Sequence, residues 1–459
     1  VNLGPRRQRL AYLSLATGLS LSVLDGTIAN TALPAIARDL GVAPAASIWV
    51  VNAFQIAVTS TLLTFAALGT ARGYGRVYRF GLSLFSLASL GCAFSQSLGM
   101  LALFRGIQGI GASALMAVNP VLLREITPPD RLGRAYGANA VVIAASAALG
   151  PAIGGLMLAI APWPWIFAIN VPLGILAIVL MQRNVPILEG DRSRIDLPSA
   201  LMSGGGFTLL IWGVEGVGRR ERPAIALVET LLAIVLLTLF VLRQRAAPFP
   251  LLKIDVFRSR LFTLSILTSF ASFIAQGLAF VALPFFLQTV LHDSPLMSGL
   301  LFSAWPIAII AVAPFAGRLS DTYPAGLIST FGLGLLAAGL SWTAYTTAHP
   351  SKAALVIAIG VCGLGFGIFQ APNNRQIMDS ATRGFGGAAS AMLAIARVGG
   401  QTVGAAGVAI AFGLFGAQGV LDAAVPYSIG AAAVCACAAA LTSVRRLAEG
   451  SPSAPGAAV

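Results

Sequence analysis

The stretch Leu24-Asp25-Gly26-Thr27-Ile28-Ala29-Asn30-Thr31-Ala32-Leu33-Pro34 sets one carboxylate inside an apolar run that begins at Leu10. Its tail, Ala32-Leu33-Pro34, returns 250 residues later as Ala282-Leu283-Pro284. At the same offset Gly137-Ala138 matches Gly387-Ala388, and Gly150 and Gly154 match Gly400 and Gly404. Matches sharing one offset point to duplication, so the chain reads as two halves of parallel orientation rather than an arbitrary bundle. The run from 10 to 33 is long enough for a helix to cross a bilayer, which takes about 20 apolar residues.

Composition extends that reading to the whole chain. Of 459 residues 57% are hydrophobic, 50 are Gly and only 10% are charged, with a mean hydropathy of +0.86. Soluble domains carry about 25% charge, so too little polar surface remains to coat a water-soluble globule. The net charge of +13 does not indicate nucleic acid, because the arginines cluster between apolar runs instead of forming one basic stripe. Cys92, Cys362, Cys435 and Cys437 lie inside apolar runs and the two histidines lie far from them, which suggests neither a disulfide framework nor a metal site. Arg6-Arg7-Gln8-Arg9 before the first run looks like a signal peptide, but no small-residue cleavage site follows, so an uncleaved first helix is expected.

Hydropathy and breakers mark fourteen spans between residues 10 and 444. An even count puts both termini on one side, and Arg6, Arg7 and Arg9 assign that side to the cytoplasm. Connections on that side then hold most of the arginines, among them Arg72, Arg76, Arg124, Arg183, Arg243, Arg318, Arg445 and Arg446. The exception is Arg219, Arg220 and Arg222, between the seventh and eighth spans. The offset pairs spans one to six with nine to fourteen, which predicts a six-helix bundle at 1–194, two inserted helices at 195–245, and a second six-helix bundle with a tail at 246–459.

Asp25 stands about 15 residues into its helix, where a carboxylate costs about 2.5–3.5 kcal/mol even on a lenient insertion scale. Such a residue is normally functional, and burial equips it to take and release a proton as its surroundings change. The string around it resembles the first-helix signature of the fourteen-helix drug:proton antiporters of the major facilitator superfamily, Leu-Asp-x-Thr-x-x-Asn-x-Ala-Leu-Pro, at every fixed position. Three further motifs are similar to that branch. These are Arg105-Gly106-Ile107-Gln108-Gly109-Ile110-Gly111-Ala112, then Gly150-Pro151-Ala152-Ile153-Gly154-Gly155, then Trp163-Pro164-Trp165-Ile166-Phe167-Ala168-Ile169-Asn170-Val171-Pro172, with Pro164 where arginine is usual.

The resemblance implies an all-α membrane protein of the major facilitator fold, two six-helix bundles with two inserted helices, acting as a monomer in a bacterial inner membrane. It implies proton-coupled efflux of lipophilic or cationic compounds, with no cofactor and no enzymatic activity, and gives Arg105 a part in proton transfer. Arg105 needs a counter-charge or carbonyl partners in an apolar helix, and Asp25 is a candidate. Gly150, Pro151, Gly154 and Gly155 strip side chains from a helix face, and their echo in the second half suggests a contact between halves that can rock. In the loop after the second helix the family's gating acid is missing: the chain reads Leu68-Gly69-Thr70-Ala71-Arg72-Gly73-Tyr74-Gly75-Arg76, while the second half keeps Asp321 in Gly317-Arg318-Leu319-Ser320-Asp321. Intramembrane polar groups, Trp49, Asn52, Gln55, Gln108, Asn119, Gln276, Gln370, Asn374 and Arg397, are candidates for a cavity wall, each with interhelical hydrogen bonding as its alternative. A dedicated exporter of one compound would share every motif, and a transport-inactive scaffold or sensor would keep the fold.

Overall fold

The computed structural model describes residues 4–128, 132–185, 190, 196–218, 223–246, 251, 254–349, 351–380, 386–416 and 421–449. The first half comprises α1 (Pro5–Asp39), the short α2 (Pro44–Ser47), α3 (Trp49–Arg72), α4 (Tyr74–Ala93), α5 (Leu98–Ile126), α6 (Leu132–Ile160), the short α7 (Trp165–Ala168) and α8 (Asn170–Asn184). The hairpin α9 (Leu197–Gly218) and α10 (Pro223–Ala246) follows. The second half comprises α11 (Arg260–Phe285), which runs into a π-turn at Phe286–Val290, then α12 (Pro295–Phe302), α13 (Ala304–Thr322), α14 (Ala325–Ala348), α15 (Lys352–Ser380), α16 (Gly386–Gly416) and α17 (Leu421–Glu449).

Among the described residues eleven helical stretches are long and apolar enough to cross a membrane, against the fourteen expected; α4, α6 and α9 fall outside that count. In α4 the cause is composition, since Arg76, Arg79 and two tyrosines share its 20 residues. Along α10, Leu227, Val228, Leu231, Leu232, Ile234 and Val235 are all exposed. Continuous apolar surface of that kind requires lipid, not water, as the surrounding solvent.

The duplication is visible in the packing. Pro34 and Pro284, at matching places in α1 and α11, each remove one N–H from the interior of a helix. The first helix of each half lies against the fifth: Gly150 and Gly154 of α6 meet Thr27 and Ile28 of α1, and Gly400 and Gly404 of α16 meet Phe270, Phe273 and Ile274 of α11. These glycines therefore hold helices together within each half, not across the two, which corrects the expectation drawn from their repetition. Across the halves the close approach belongs to Gly155. A Cβ there would stand 2.5 Å from the Pro295 carbonyl oxygen of α12, and a Cβ at Gly299 of α12 would stand 2.3 Å from that of Pro151.

The start of α1 and the end of α17 lie on one face of the bundle, here called the terminal face: α1 and α11 run in the same direction and meet at their far ends, where Gln288 donates to the Thr31 carbonyl (2.9 Å), and Arg446 near the end of α17 bonds Ser265 near the start of α11. At the far end one hydrophobic cluster joins the halves, with Ile28, Ala32, Leu33 and Val51 packed among Phe280, Leu283, Phe286 and Phe302. Toward the terminal face each half keeps its own cluster, one around Leu15, Tyr78 and Leu122 and the other around Phe262, Ile266 and Ile377. The halves stay joined there along the α3–α16 edge, where Leu62, Leu63 and Ile395 pack with Phe240 of the hairpin. The far side is thus sealed and the terminal side is the less tightly joined.

Arg446, expected as a loop charge, is 1% exposed and sits inside the second half. Its guanidinium donates to Ser265 of α11 (3.2 Å), to Asn373 and Gln376 of α15 (3.1 Å for Gln376) and to Ser443 on its own helix, whose hydroxyl receives Thr330 of α14 (2.7 Å). Four helices are pinned by one cation. Replacing Arg446 by Met is expected to strand those amides and hydroxyls and to cost about 2–4 kcal/mol. It should read out as a lowered Tm of the purified protein with little change in α-helical circular dichroism at low temperature; an unchanged Tm would refute the pin.

On the terminal face the α9–α10 hairpin is clasped by Arg243, which donates to both Asp196 oxygens (2.9–3.2 Å) and holds that carboxyl below its ordinary range. The α3–α4 connection has shrunk to Gly73 alone, at φ +96°, a conformation that costs a residue with a Cβ and leaves no loop for a gating acid. Arg219, Arg220 and Arg222 lie outside the described residues.

Candidate functional site

Asp25 is the focus of a cage built by five segments of the first half. It faces α5, where Arg105 and Gln108, three residues apart, share one face of the helix. Arg105 Nη1 donates to Asp25 Oδ2 in a close ion pair whose side chains are 0% and 1% exposed. Asp25 Oδ1 accepts from Gln108 Nε2 (3.0 Å) and from Asn170 Nδ2 at the start of α8 (2.8 Å). Arg105 also donates through Nε to the Val50 carbonyl of α3 (2.8 Å) and through Nη1 to Gln108 Oε1 (2.6 Å). Gln108 Nε2 reaches Ser89 of α4 (2.7 Å), and the Cys92 thiol lies 3.8 Å from its Oε1.

Arg105 Nη2 has no hydrogen-bond acceptor. Aromatic faces cover that edge, with the guanidinium carbon 4.4 Å from the Phe54 ring centre and 5.4 Å from that of Phe167. A desolvated cation–π contact of this kind recovers about 2 kcal/mol of what a missing acceptor costs. Arg105 Nε and Nη1 and both Asp25 oxygens are engaged, and only the Nη2 edge is closed by rings instead, so the cage holds two opposite charges in an apolar interior. Its place matters as well. Ile28 and Ala29, three and four residues after Asp25, belong to the far-end seal, and so does Val50.

Sequence reasoning reached Asp25 and Arg105. It placed Gln108 among cavity residues, whereas the structure builds it into the cage. Asn170 stood in a quoted motif without a role, and Ser89, Phe54, Phe167 and the Val50 carbonyl carried no signal, being ordinary residues until the helices meet. The other candidates disperse. Asn119 donates to the Leu15 carbonyl (3.3 Å), a brace within the first half. Trp49 stacks edge-on against Trp212 of α9 (5.8 Å), which puts it toward the inserted hairpin. Asn52 is fully buried in α3; Gln55, one turn on, is buried with its Oε1 unpartnered. Gln276 accepts from Gln401 of α16 (2.9 Å). Gln370, Asn374 and Arg397 are half-buried. Asp321 sits in the last turn of α13 with its side chain outside the described residues. A groove of about 670 Å³ between α13, α14 and α15, lined by Phe315, Tyr323 and Phe331, opens on the outer surface, apart from the cage.

Two parallel helical halves, joined most tightly at one end, with a buried ion pair beside that junction, give the arrangement of a membrane transporter built from internal repeats. Residues 15–405 match the sequence profile of the Major Facilitator Superfamily, and the chain belongs to that family. It is 46% identical to the "Uncharacterized transporter YebQ" of Escherichia coli K12 over 96% of this chain and 95% of that one. It is 30% identical to the "Riboflavin transporter RibZ" of Clostridioides difficile (83% and 84%) and 29% identical to the "Multidrug resistance protein Stp" of Mycobacterium tuberculosis (87% and 75%). Among solved structures it shares its fold with the xylose transporter XylE of E. coli, titled a partially occluded inward open conformation, at TM-score 0.64 and 13% identity over 99% and 100% of the two chains. It is accordingly a multi-pass membrane transporter of small molecules, not an enzyme.

Proposed function

We propose that the protein exports lipophilic or cationic compounds across a bacterial cytoplasmic membrane in exchange for protons, with Asp25 as the proton acceptor. The observation that carries this reading is the Asp25–Arg105 cage one turn from the far-end seal. A proton arriving on Asp25 removes the counter-charge of Arg105 and one acceptor position of the carboxylate, which weakens its hold on Arg105, Gln108 and Asn170, so the anchor shared by the segments that meet there loosens. That loss weakens the seal from beneath and favours opening on the far side. The terminal face, rich in arginine, is read as cytoplasmic. Counted with α4, α6 and α9, the chain crosses fourteen times, and it works as a monomer with the α9–α10 hairpin bracing the α3–α16 edge. A proton falling through 100 mV supplies about 2.3 kcal/mol, enough for roughly a 50-fold gradient of a neutral substrate at one proton per molecule.

The test is export of ethidium from energised cells carrying the protein, and uptake into inverted vesicles with an imposed inward-acid gradient. Extrusion that stops on adding an uncoupler is expected; extrusion that continues would remove proton coupling. A second reading, a dedicated exporter of one compound, is supported by the relative named a riboflavin transporter. Survival against a panel of unrelated cationic dyes and antiseptics separates the two, since a dedicated exporter protects against none or one.

A further inference from the structure

Among the described residues Arg105 and Arg446 are buried arginines of the membrane-spanning helices, and both are caged. Arg105 has a carboxylate, a carbonyl and an amide; Arg446 has two amides and two hydroxyls. Arg397 of α16 has no hydrogen bond or ion pair with any described residue, and its side chain is half-buried. It stands eleven residues from the start of α16 at the terminal face, about 16 Å along the helix. Its neighbour Val398 packs with Leu21, Phe54 and Val58 of the first half, and Gln401, one turn on and on the same face, bonds Gln276 of α11. Thr59 of α3 lies 3.7 Å from where a Gly399 Cβ would stand, one turn from Gln55 and its unpartnered amide oxygen. This stretch of α16, Arg397 with it, therefore lies where α3 and α11 of the two halves approach each other, on the side of the seal that is less tightly joined.

We propose that Arg397 anchors the anionic group of the transported compound. The inference rests on the export reading above and adds a substrate class to it: amphiphiles bearing a carboxylate, phosphate or sulfonate dock on Arg397, whereas a plain cation such as ethidium does not need it. An intramembrane arginine costs about 2.5–3.5 kcal/mol on the lenient scale, and the fold gives this one nothing in return. Its planar fork matches a carboxylate or phosphate through two parallel hydrogen bonds, and it is weakly hydrated, so exchanging water for such a ligand is favourable. The amides of Gln401 and Gln276 add a polar rim, and the apolar side chains of the seam accommodate the rest of the compound. Arg105 and Arg446 already hold acceptors supplied by the protein itself, which leaves Arg397 to take the anion of a ligand.

The test compares wild type with Arg397→Gln and Arg397→Lys, using carboxyfluorescein (loaded as its ester) and ethidium in the same energised cells. For Arg397→Gln carboxyfluorescein efflux should fall about 10-fold or more, and at least several-fold further than ethidium efflux, with Arg397→Lys in between because it keeps charge without the fork. Membrane abundance and residual ethidium efflux control for folding. Equal losses for both dyes, or full carboxyfluorescein efflux in Arg397→Gln, would overturn the proposal. Anisotropy of carboxyfluorescein with the purified protein reads the site without transport. Binding lost in Arg397→Gln supports the anchor even if uncouplers leave efflux untouched and the proton-coupled reading fails; no binding by wild type overturns it.

Discussion

Asp25→Asn is expected to abolish uphill, uncoupler-sensitive efflux while leaving downhill exchange of substrate in place. The amide is close in shape to the carboxylate and preserves an acceptor for Gln108 or Asn170, but it cannot take a proton and cannot neutralise Arg105. Breaking a buried pair by removing one partner costs about 3–5 kcal/mol, so the variant should also melt at a lower temperature. Two measurements separate those effects. Counterflow of labelled substrate in proteoliposomes needs an intact, cycling protein and no net proton movement, and it should persist; accumulation against a gradient should drop by up to about 50-fold, to the vesicle background. A variant that still concentrates substrate would exclude Asp25 from coupling, and one that loses counterflow as well would make the cage purely structural. The double variant Asp25→Asn with Arg105→Gln should regain part of the lost stability, since it removes the stranded cation, without regaining uphill transport.

Gly155→Val is the second large effect. A Cβ at this position meets the Pro295 carbonyl oxygen at 2.5 Å and the Leu296 Cα at 3.1 Å, both backbone, so the seam itself has to yield. Forcing extra methyls into a packed contact costs about 1–3 kcal/mol, here charged entirely against the conformation sealed on the far side. The population should move toward the state open there, and transport should slow about 10-fold because one half of the cycle becomes uphill. Thiol labelling of a single cysteine placed at Leu296 should rise, with Gly334→Ala as the comparison, since a Cβ at Gly334 meets nothing within 4 Å. Unchanged labelling in Gly155→Val would show that the seam tolerates the bulk and that Gly155 is not what sets the closed state.

How far the chain could be read before folding differs from residue to residue. Asp25 announced itself because a lone acid in an apolar run has few innocent explanations in a membrane. Arg105 and Gln108 stand three apart in one motif but carry separate roles in the sequence, and only the crossing of α1 with α5 turns them into a cage, as only the start of α8 brings Asn170 to the second carboxylate oxygen. Arg446 was misassigned for a physical reason: near a helix end an arginine reads as a loop charge unless one knows that Ser265, Asn373 and Gln376 close over it. The repeated glycines showed which helices correspond in the two halves but not what each one touches. Repetition encodes a local helix contact, whereas the Gly155 contact between halves has no echo in the sequence.

The amino-acid order by itself determined the solvent and eleven of the fourteen expected spans, and it pointed to the twofold repetition, because apolar run length, charge placement and a common offset act along the chain and need no partner. The tertiary structure alone decided which end is sealed, which intramembrane arginines are satisfied and which is left open. Satisfaction of a buried charge depends on groups far apart in sequence, and no one-dimensional pattern fixes their distance.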